Sequence, residues 1–368
     1  MQEALKTLAQ LELAPDYPYG LATVVATEGS SYRRPGARML LAPNKTRTGA
    51  ISGGCLEEDM IAHLEGVMAT GSAKTLIYDT TQENDLVWGV GLGCNGKVTL
   101  LLELLRVKPD FLTFARHAAD ELRVGCVLAT IYACDDPRLL GTRLAIAATG
   151  PSWTGDLPAD WRNAVESSAR AALAEGKSRS LAFAQLADRP SVFFEYIAPT
   201  PQLVILGAGD DAQPLARFAH ALGWRVTIAD PRPAFATRTR FPTAHAVLAL
   251  QPEAITRAVP LDPHTFAVVM THHYVHDLPF LRELIHQPLA YLGLLGPKKR
   301  ADRLLDEIRQ QGQPLRPDAL ARLHAPVGLD LGGDAPEAVA LSMLAEMQAV
   351  LHARDAAPLR LRNRPIHE

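Results

Sequence analysis

Short apolar runs punctuate the first half of the chain, each broken by glycine, proline or charge. Residues 19–27 (YGLATVVAT) read as a buried strand, and 38–41 as a second. An apolar spacing of three and four predicts a helix from just after position 55 to about position 69. Strands follow at 74–79 and at 97–104, the latter rich in branched and apolar residues. A helix is expected over 111–122, strands over 124–133 and 143–148, a helix over 159–175, and strands over 181–186 and 192–197. Strands and helices mix here without regular βαβ alternation, so residues 1–198 are assigned to an α+β region. The sequence suggests no internal repeat.

The rhythm changes after Ala198-Pro-Thr-Pro-Gln202, a proline-marked linker. Strand and helix patterns then alternate: strands at 203–206, 225–229, 246–249, 267–270 and 290–295, and helices at 211–221, 278–286 and 298–310. This predicts a Rossmann-like, doubly wound parallel sheet over 203–354, followed by a tail over 355–368. A last helix over about 335–353 is expected to start in a capping box, with Asp334 accepting backbone amides and Glu337 reaching back.

Composition narrows the function classes. The chain has 368 residues, 48% apolar and 21% charged, with a net charge of −3. No basic stripe marks it as a nucleic-acid binder. No run approaches ~20 apolar residues, so no membrane span is expected. The first 14 residues are amphipathic and lack a signal-like apolar core, and the four cysteines form no C-x-x-C pair, so a cytoplasmic protein with reduced thiols is expected.

Candidate chemistry starts with the loop Gly49-Ala-Ile-Ser52-Gly53-Gly54-Cys55-Leu-Glu57, which opens a helix. Glycines let the backbone approach a ligand, and free amides at a helix start attract anions and lower a thiol pKa. Cys55 reads either as a thiolate beside such a loop or as a small buried hydrophobe. A second glycine-flanked cysteine stands in Gly91-Leu-Gly93-Cys94-Asn-Gly96. Arg33, Arg34 and Arg38 offer fork-shaped donors to a phosphate, or are surface arginines. Cys126 and Cys134 fall in a strand pattern and read as core or strand-end residues.

In the second region, Gly207-Ala-Gly209-Asp210-Asp211-Ala212 follows a strand and opens a helix, with Asp230 ending the next strand. This is a dinucleotide fingerprint, in which Asp230 is a hydrogen-bond acceptor for a ribose or another polar ring. Carboxylates at 210 and 211 stand where a pyrophosphate would sit: one is a candidate N-cap, and the other repels an anion unless neutralised. Thr271-His272-His-Tyr-Val-His-Asp277 is a ligand-contact, structural or metal-binding loop. Lys298 and Lys299, after Gly-Pro, begin a helix where cations make sense beside a bound anion. No G-x-S-x-G, H-E-x-x-H or P-loop is present, and no catalytic set is assembled.

Six segments in order, GAISGGCLEEDM (49–60), GLGCNGKVTLLLE (91–103), LVILGAGDDAQPLARFAHALGWRVTIADPR (203–232), MTHHYVHDLPFL (270–281), YLGLLGPKKR (291–300) and HAPVGLDLGGDAPEAVALSMLAEM (324–347), resemble the XdhC/CoxI family. The resemblance implies an accessory protein and not an enzyme. Such a protein binds the molybdenum cofactor (molybdopterin), holds it during sulfuration and delivers it to xanthine dehydrogenase or a related apo-molybdenum hydroxylase. It implies a cysteine desulfurase-type sulfur donor as a further partner, and a homodimer is expected on general grounds. Cofactor contacts are expected from Ser52, Gly53, Gly54, Cys55, Glu57, Gly93, Cys94, Gly207, Gly209, Asp210, Asp230, His272 and Lys298, with Cys55 a soft group near molybdenum and no permanent metal site. Two departures stand out: the family's glycine loop commonly has histidine where Asp210 stands here, and Asn95 interrupts a Cys-Gly-Gly run. NAD(P) is not expected; the alternative is a nicotinamide-dependent oxidoreductase built on the same glycine loop.

Overall fold

The computed structural model describes residues 3–13, 18–29, 31–54, 56–79, 96–107, 109–150 and 152–363. Two compact units make up the chain, Met1–Pro199 and Thr200–Glu368.

The first unit opens with helix α1 (Glu3–Leu13) and contains two five-stranded antiparallel sheets. The first sheet comprises β1 (Tyr19–Gly29), β2 (Arg38–Leu41), β3 (Arg47–Gly49), β4 (Lys74–Asp79) and β5 (Gly96–Leu105), in the order β3-β2-β1-β5-β4. Helix α2 (Glu57–Thr70) follows β3 and packs on Ala22, Val24, Leu100 and Leu102. Helix α3 (Asp110–Arg116) passes into a π-helical turn over His117–Glu121 where one helix was expected to run to 122. The second sheet comprises β6 (Cys126–Ala133), β7 (Arg143–Ala147), β8 (Ser152–Thr154), β9 (Arg179–Ala182) and β10 (Ser191–Ile197), in the order β8-β7-β6-β10-β9. Helix α4 (Ala159–Glu175) follows β8 and packs on Val127, Ala129, Ile131 and Phe194.

The two sheets are copies of one βββαββ motif, contrary to the expectation of no repeat. The match holds at the level of register. Val24 exchanges backbone hydrogen bonds with Ala37 and Gly36, and Ile131 makes the same pair with Thr142 and Gly141. A bulge follows in each centre strand, at Val25 and at Tyr132. Leu-Ala-Thr at 21–23 and again at 128–130 occupy equivalent positions, as do Gly-x-Arg at 36–38 and at 141–143. Bulging frees a carbonyl from the ladder. Each one accepts a hydroxyl from the other half: Ser180 Oγ donates to Val25 O at 2.7 Å, and Thr75 Oγ1 donates to Tyr132 O.

Two buried ion pairs repeat this reciprocity. Arg38 on β2 forks onto Glu195 on β10 at 2.8 and 2.5 Å, and Arg143 on β7 forks onto Glu103 on β5 at 2.9 and 2.6 Å. Each arginine also donates to a carbonyl two residues back, Gly36 O and Gly141 O. Arg38 is therefore neither a phosphate donor nor a surface arginine, because its side chain is 4% exposed and holds the two halves together. Removing one partner of such a pair strands a buried charge and costs about 3–5 kcal/mol.

The second unit is a six-stranded parallel sheet flanked by helices. Its strands are β11 (Gln202–Leu206), β12 (Arg225–Asp230), β13 (Ala246–Ala249), β14 (Thr265–Val269), β15 (Tyr291–Leu294) and β16 (Leu323–His324), in the order β13-β12-β11-β14-β15-β16. This is the dinucleotide-binding order, with its switch point between β11 and β14. Helices α5 (Ala212–Ala221) and α10 (Pro336–Leu351) cover one face. Helices α6 (Ile255–Ala258), α7 (Tyr274–Leu284), α8 (Lys298–Gln310) and α9 (Pro317–Ala321) belong to the other. The capping box at the start of α10 does not form. Ala335 is the N-cap, no side chain caps it, and Pro336 at the first helical position has no amide to offer. Glu337 instead faces Arg217 at 3.6 Å.

Candidate functional site

In the first unit, Ser52 organises the loop that leads into α2. Its amide donates to Glu57 Oε1 at 3.0 Å and its hydroxyl to Glu57 Oε2, while its oxygen accepts the amides of Gly54 at 3.1 Å and Leu56 at 3.3 Å. Burial pushes the Glu57 carboxyl up, but hydrogen bonds from Ser52 and from the amides at the helix start outweigh it, and its pKa is lowered. Ser52 and Glu57 therefore shape the loop, and their polar atoms are directed at each other. Gly54 has φ +115°, and among the described residues beyond its chain neighbours none comes within 4 Å of a Cβ built there. Three carboxylates, Glu57, Glu58 and Asp59, occupy the first turn of α2 and already complement its dipole, so this helix start is a poor seat for phosphate. Cys55, Gly93 and Cys94 lie outside the described residues.

Tyr32 extends this site beyond the residues singled out from sequence. A Cβ built on Gly53 would lie 3.7–3.8 Å from Cγ, Cδ2 and Cε2 of Tyr32. Near-equal distances to three successive ring atoms place Gly53 over the ring face and not its edge. Tyr32 is nonetheless 65% exposed.

In the second unit, the glycine loop is closed by its own side chains. Gly207 has φ +126°, and a Cβ there would sit 2.5 Å from Met270 O on the neighbouring strand's extension. Asp230 is fully buried. Its Oδ2 accepts Ala208 N at 2.7 Å and Arg232 Nη2 at 2.8 Å, and its Oδ1 accepts Arg232 N at 2.8 Å and Arg232 Nε at 2.9 Å. Burial raises its pKa and these bonds from Arg232 and Ala208 more than reverse that, so it is lowered overall. Two bonds at each oxygen saturate the carboxylate, and the amide of Ala208 is used as well.

The two following aspartates each have a side-chain partner. Asp210, 86% exposed, accepts from Arg240 Nη2 at 2.8 Å, and Asp211 Oδ2 lies 2.6 Å from His272 Nε2. His272 thus contacts the glycine loop directly, from a left-handed backbone position at φ +62°. Asp277, from the same loop, is buried and accepts Thr271 N at 3.1 Å, Thr271 Oγ1 at 2.6 Å and Arg300 Nη2 at 2.5 Å. Lys298 and Lys299 open α8, exposed and with no acidic residue in the first turn. Among the described residues no group of three or more His, Cys, Asp or Glu side chains is placed to hold a metal, and no helix is long and apolar enough to cross a membrane. Cys126 is buried in β6, which pushes its thiol up to about 12; Cys134 is half-buried and its thiol donates to Asp136 O at 2.9 Å.

Sequence and structure comparisons bear on both units. Residues 13–79 match the model of the XdhC and CoxI family, and 203–347 match the XdhC Rossmann domain. A probable xanthine dehydrogenase subunit of Bacillus subtilis is 32% identical over 327 residues, covering 89% of this chain and 91% of its own. The molybdenum cofactor insertion chaperone PaoD of Escherichia coli is 23% identical over 330 residues, covering 90% and 82%. A crystal structure of a xanthine dehydrogenase from Bacillus halodurans superposes with a TM-score of 0.73 at 27% identity, covering 98% of this chain and 99% of that one. By sequence along nearly its whole length, the chain belongs to the XdhC/CoxI family.

Proposed function

We propose that this chain is an accessory protein of a xanthine dehydrogenase-type molybdenum hydroxylase, which binds the molybdenum cofactor and inserts it into the apo-enzyme. The observation that carries the reading is the state of the glycine loop. Asp230, the acceptor a dinucleotide ribose would use, is already taken by the Ala208 amide and by Arg232. That arrangement disfavours a nicotinamide oxidoreductase while keeping the Rossmann architecture. The relative named as a cofactor insertion chaperone supports the same reading.

In the first unit, the Ser52–Leu56 loop is the cofactor-facing element, with Cys55 supplying the soft group toward molybdenum. No described residue beyond its chain neighbours crowds Gly54, and the Ser52–Glu57 pair fixes the backbone on either side. Gly93 and Cys94 belong to the same proposed set. In the second unit, Lys298 and Lys299 offer cations to an anionic group at a helix start whose first turn holds no acidic side chain. Sulfuration of the cargo by a cysteine desulfurase-type donor, a cytoplasmic setting and a homodimer belong to the same proposal.

The test is anaerobic binding of purified molybdenum cofactor, followed by transfer to an apo-hydroxylase. Wild-type protein is expected to retain molybdenum and pterin and then to activate the apo-enzyme. Cys55→Ala is expected to reduce retention. Saturable NADH or NADPH binding together with no molybdenum retention would reverse the assignment.

A further inference from the structure

The two halves of the first unit differ where the proposed chemistry lies. In the first half seven residues, 50–56, join β3 to α2; in the second half four, 155–158, join β8 to α4. The extra length carries the Ser-Gly-Gly of the loop. Four residues before the shared Gly-x-Arg glycine stands Tyr32 in the first half and Pro137 in the second. Pro137 starts a 3-10 turn capped by Asp136. An aromatic ring and a glycine loop thus occur together in one copy and are both missing from the other.

From this asymmetry we infer that Tyr32 is a stacking platform for the planar heterocycle of the cargo, and that the Glu195–Arg38 pair positions it. The inference rests on the proposed cofactor-binding role of the Ser52–Leu56 loop. Gly53 covers one face of the ring, and the exposure of Tyr32 leaves surface for a second stacking partner. Flat heteroaromatic rings stack on such faces with little demand on hydrogen-bond pattern. Arg38 binds Gly36 O at 2.9 Å while forked onto Glu195, and Gly36 ends the turn that carries Tyr32. A carboxylate contributed by the second half therefore fixes the turn that presents the ring in the first. Glu195 is a positioning residue.

The duplication supplies its own control. Glu103–Arg143 matches Glu195–Arg38 in register, burial and carbonyl contact, but it anchors the half with Pro137. Purified molybdenum cofactor is the probe, bound anaerobically and read as molybdenum content and as oxidised pterin fluorescence. Tyr32→Phe is expected to bind as wild type, and Tyr32→Ala about tenfold more weakly. Glu195→Gln is expected to weaken binding about fivefold, and Glu103→Gln to leave it within about twofold, measured well below the melting temperature of both. The charge swap R38E/E195R, if folded by circular dichroism, is expected to recover part of the loss. Wild-type binding by Tyr32→Ala alongside a loss in Cys55→Ala overturns the platform and leaves the loop assignment standing. Equal effects of Glu195→Gln and Glu103→Gln overturn the positioning role. Unchanged binding in Cys55→Ala and every other variant removes the loop assignment itself.

Discussion

Gly207→Ala separates backbone strain from steric collision, and its cost follows from two quantities. At φ +126° any residue other than glycine is strained by about 1–3 kcal/mol. The new methyl would also lie 2.5 Å from Met270 O, 2.7 Å from Met270 C and 2.9 Å from Thr271 N. These are backbone atoms continuing from β14, the strand paired with β11 along its whole length, so they cannot swing aside. Overpacking of this kind adds about 1–3 kcal/mol, for a total of about 4 kcal/mol. A unit of this size loses about 2–4 °C per kcal/mol, so its melting temperature should fall on the order of 10 °C. Gly54→Ala is the comparison: φ is +115°, but among the described residues beyond its chain neighbours no atom lies within 4 Å of the added methyl, so the expected cost is the strain of about 1–3 kcal/mol. Hydrogen exchange read peptide by peptide assigns each loss to its unit. Gly207→Ala should deprotect β11 and β14 and spare β1 and β5. Equal losses for the two variants, each read in its own unit, would refute the collision argument.

Asp230→Asn leaves Ala208 N and Arg232 facing an amide and should destabilise the second unit by about 3 kcal/mol in denaturant unfolding, more than the same change at any exposed aspartate of that unit. Glu346 is pushed up by burial but lowered overall by hydrogen bonds from Tyr291, the Gly328 amide and His324. Its contribution to stability is therefore present above the ordinary glutamate range and lost as pH falls through the depressed value. Glu346→Gln should flatten the acid limb of the stability profile. Cys126, buried and with its thiol pushed up to about 12, should resist iodoacetamide at neutral pH until the first unit unfolds, as followed by mass spectrometry.

Much of the fold was legible because its strands announce themselves. The runs at 38–41, 74–79 and 246–249 are strands with those same limits, and 159–175 and 298–310 are helices as expected. The parallel order follows from the alternation after the linker. β3 and β8 escaped because Arg-Thr-Gly and Ser-Trp-Thr carry no apolar alternation. The repeat escaped because its identities are few: Leu-Ala-Thr, Gly-x-Arg and one glutamate, separated by loops of unequal length. Arg38 looked like a surface cation because the carboxylate that buries it lies 157 residues away in sequence. At the candidate site, sequence placed Gly207, Asp230 and His272 at the carboxyl edge of the sheet, but not the internal saturation of Asp230, which depends on the guanidinium of Arg232 folding back. Tyr32 was missed because its significance comes from contact with Gly53, a relation that no local pattern encodes.

The reciprocal arginine–glutamate pairs also bear on where the chain can be cut. During synthesis Arg38 emerges long before Glu195, so β2 gains this ion pair only once β10 has been made. A truncation after residue 122 keeps all five strands of that sheet yet takes Glu195 away from Arg38 and Arg143 away from Glu103. The segment 13–79 that carries the family signature likewise lacks both β5 and Glu195, so fragments that end after β10 are expected to be the more stable ones.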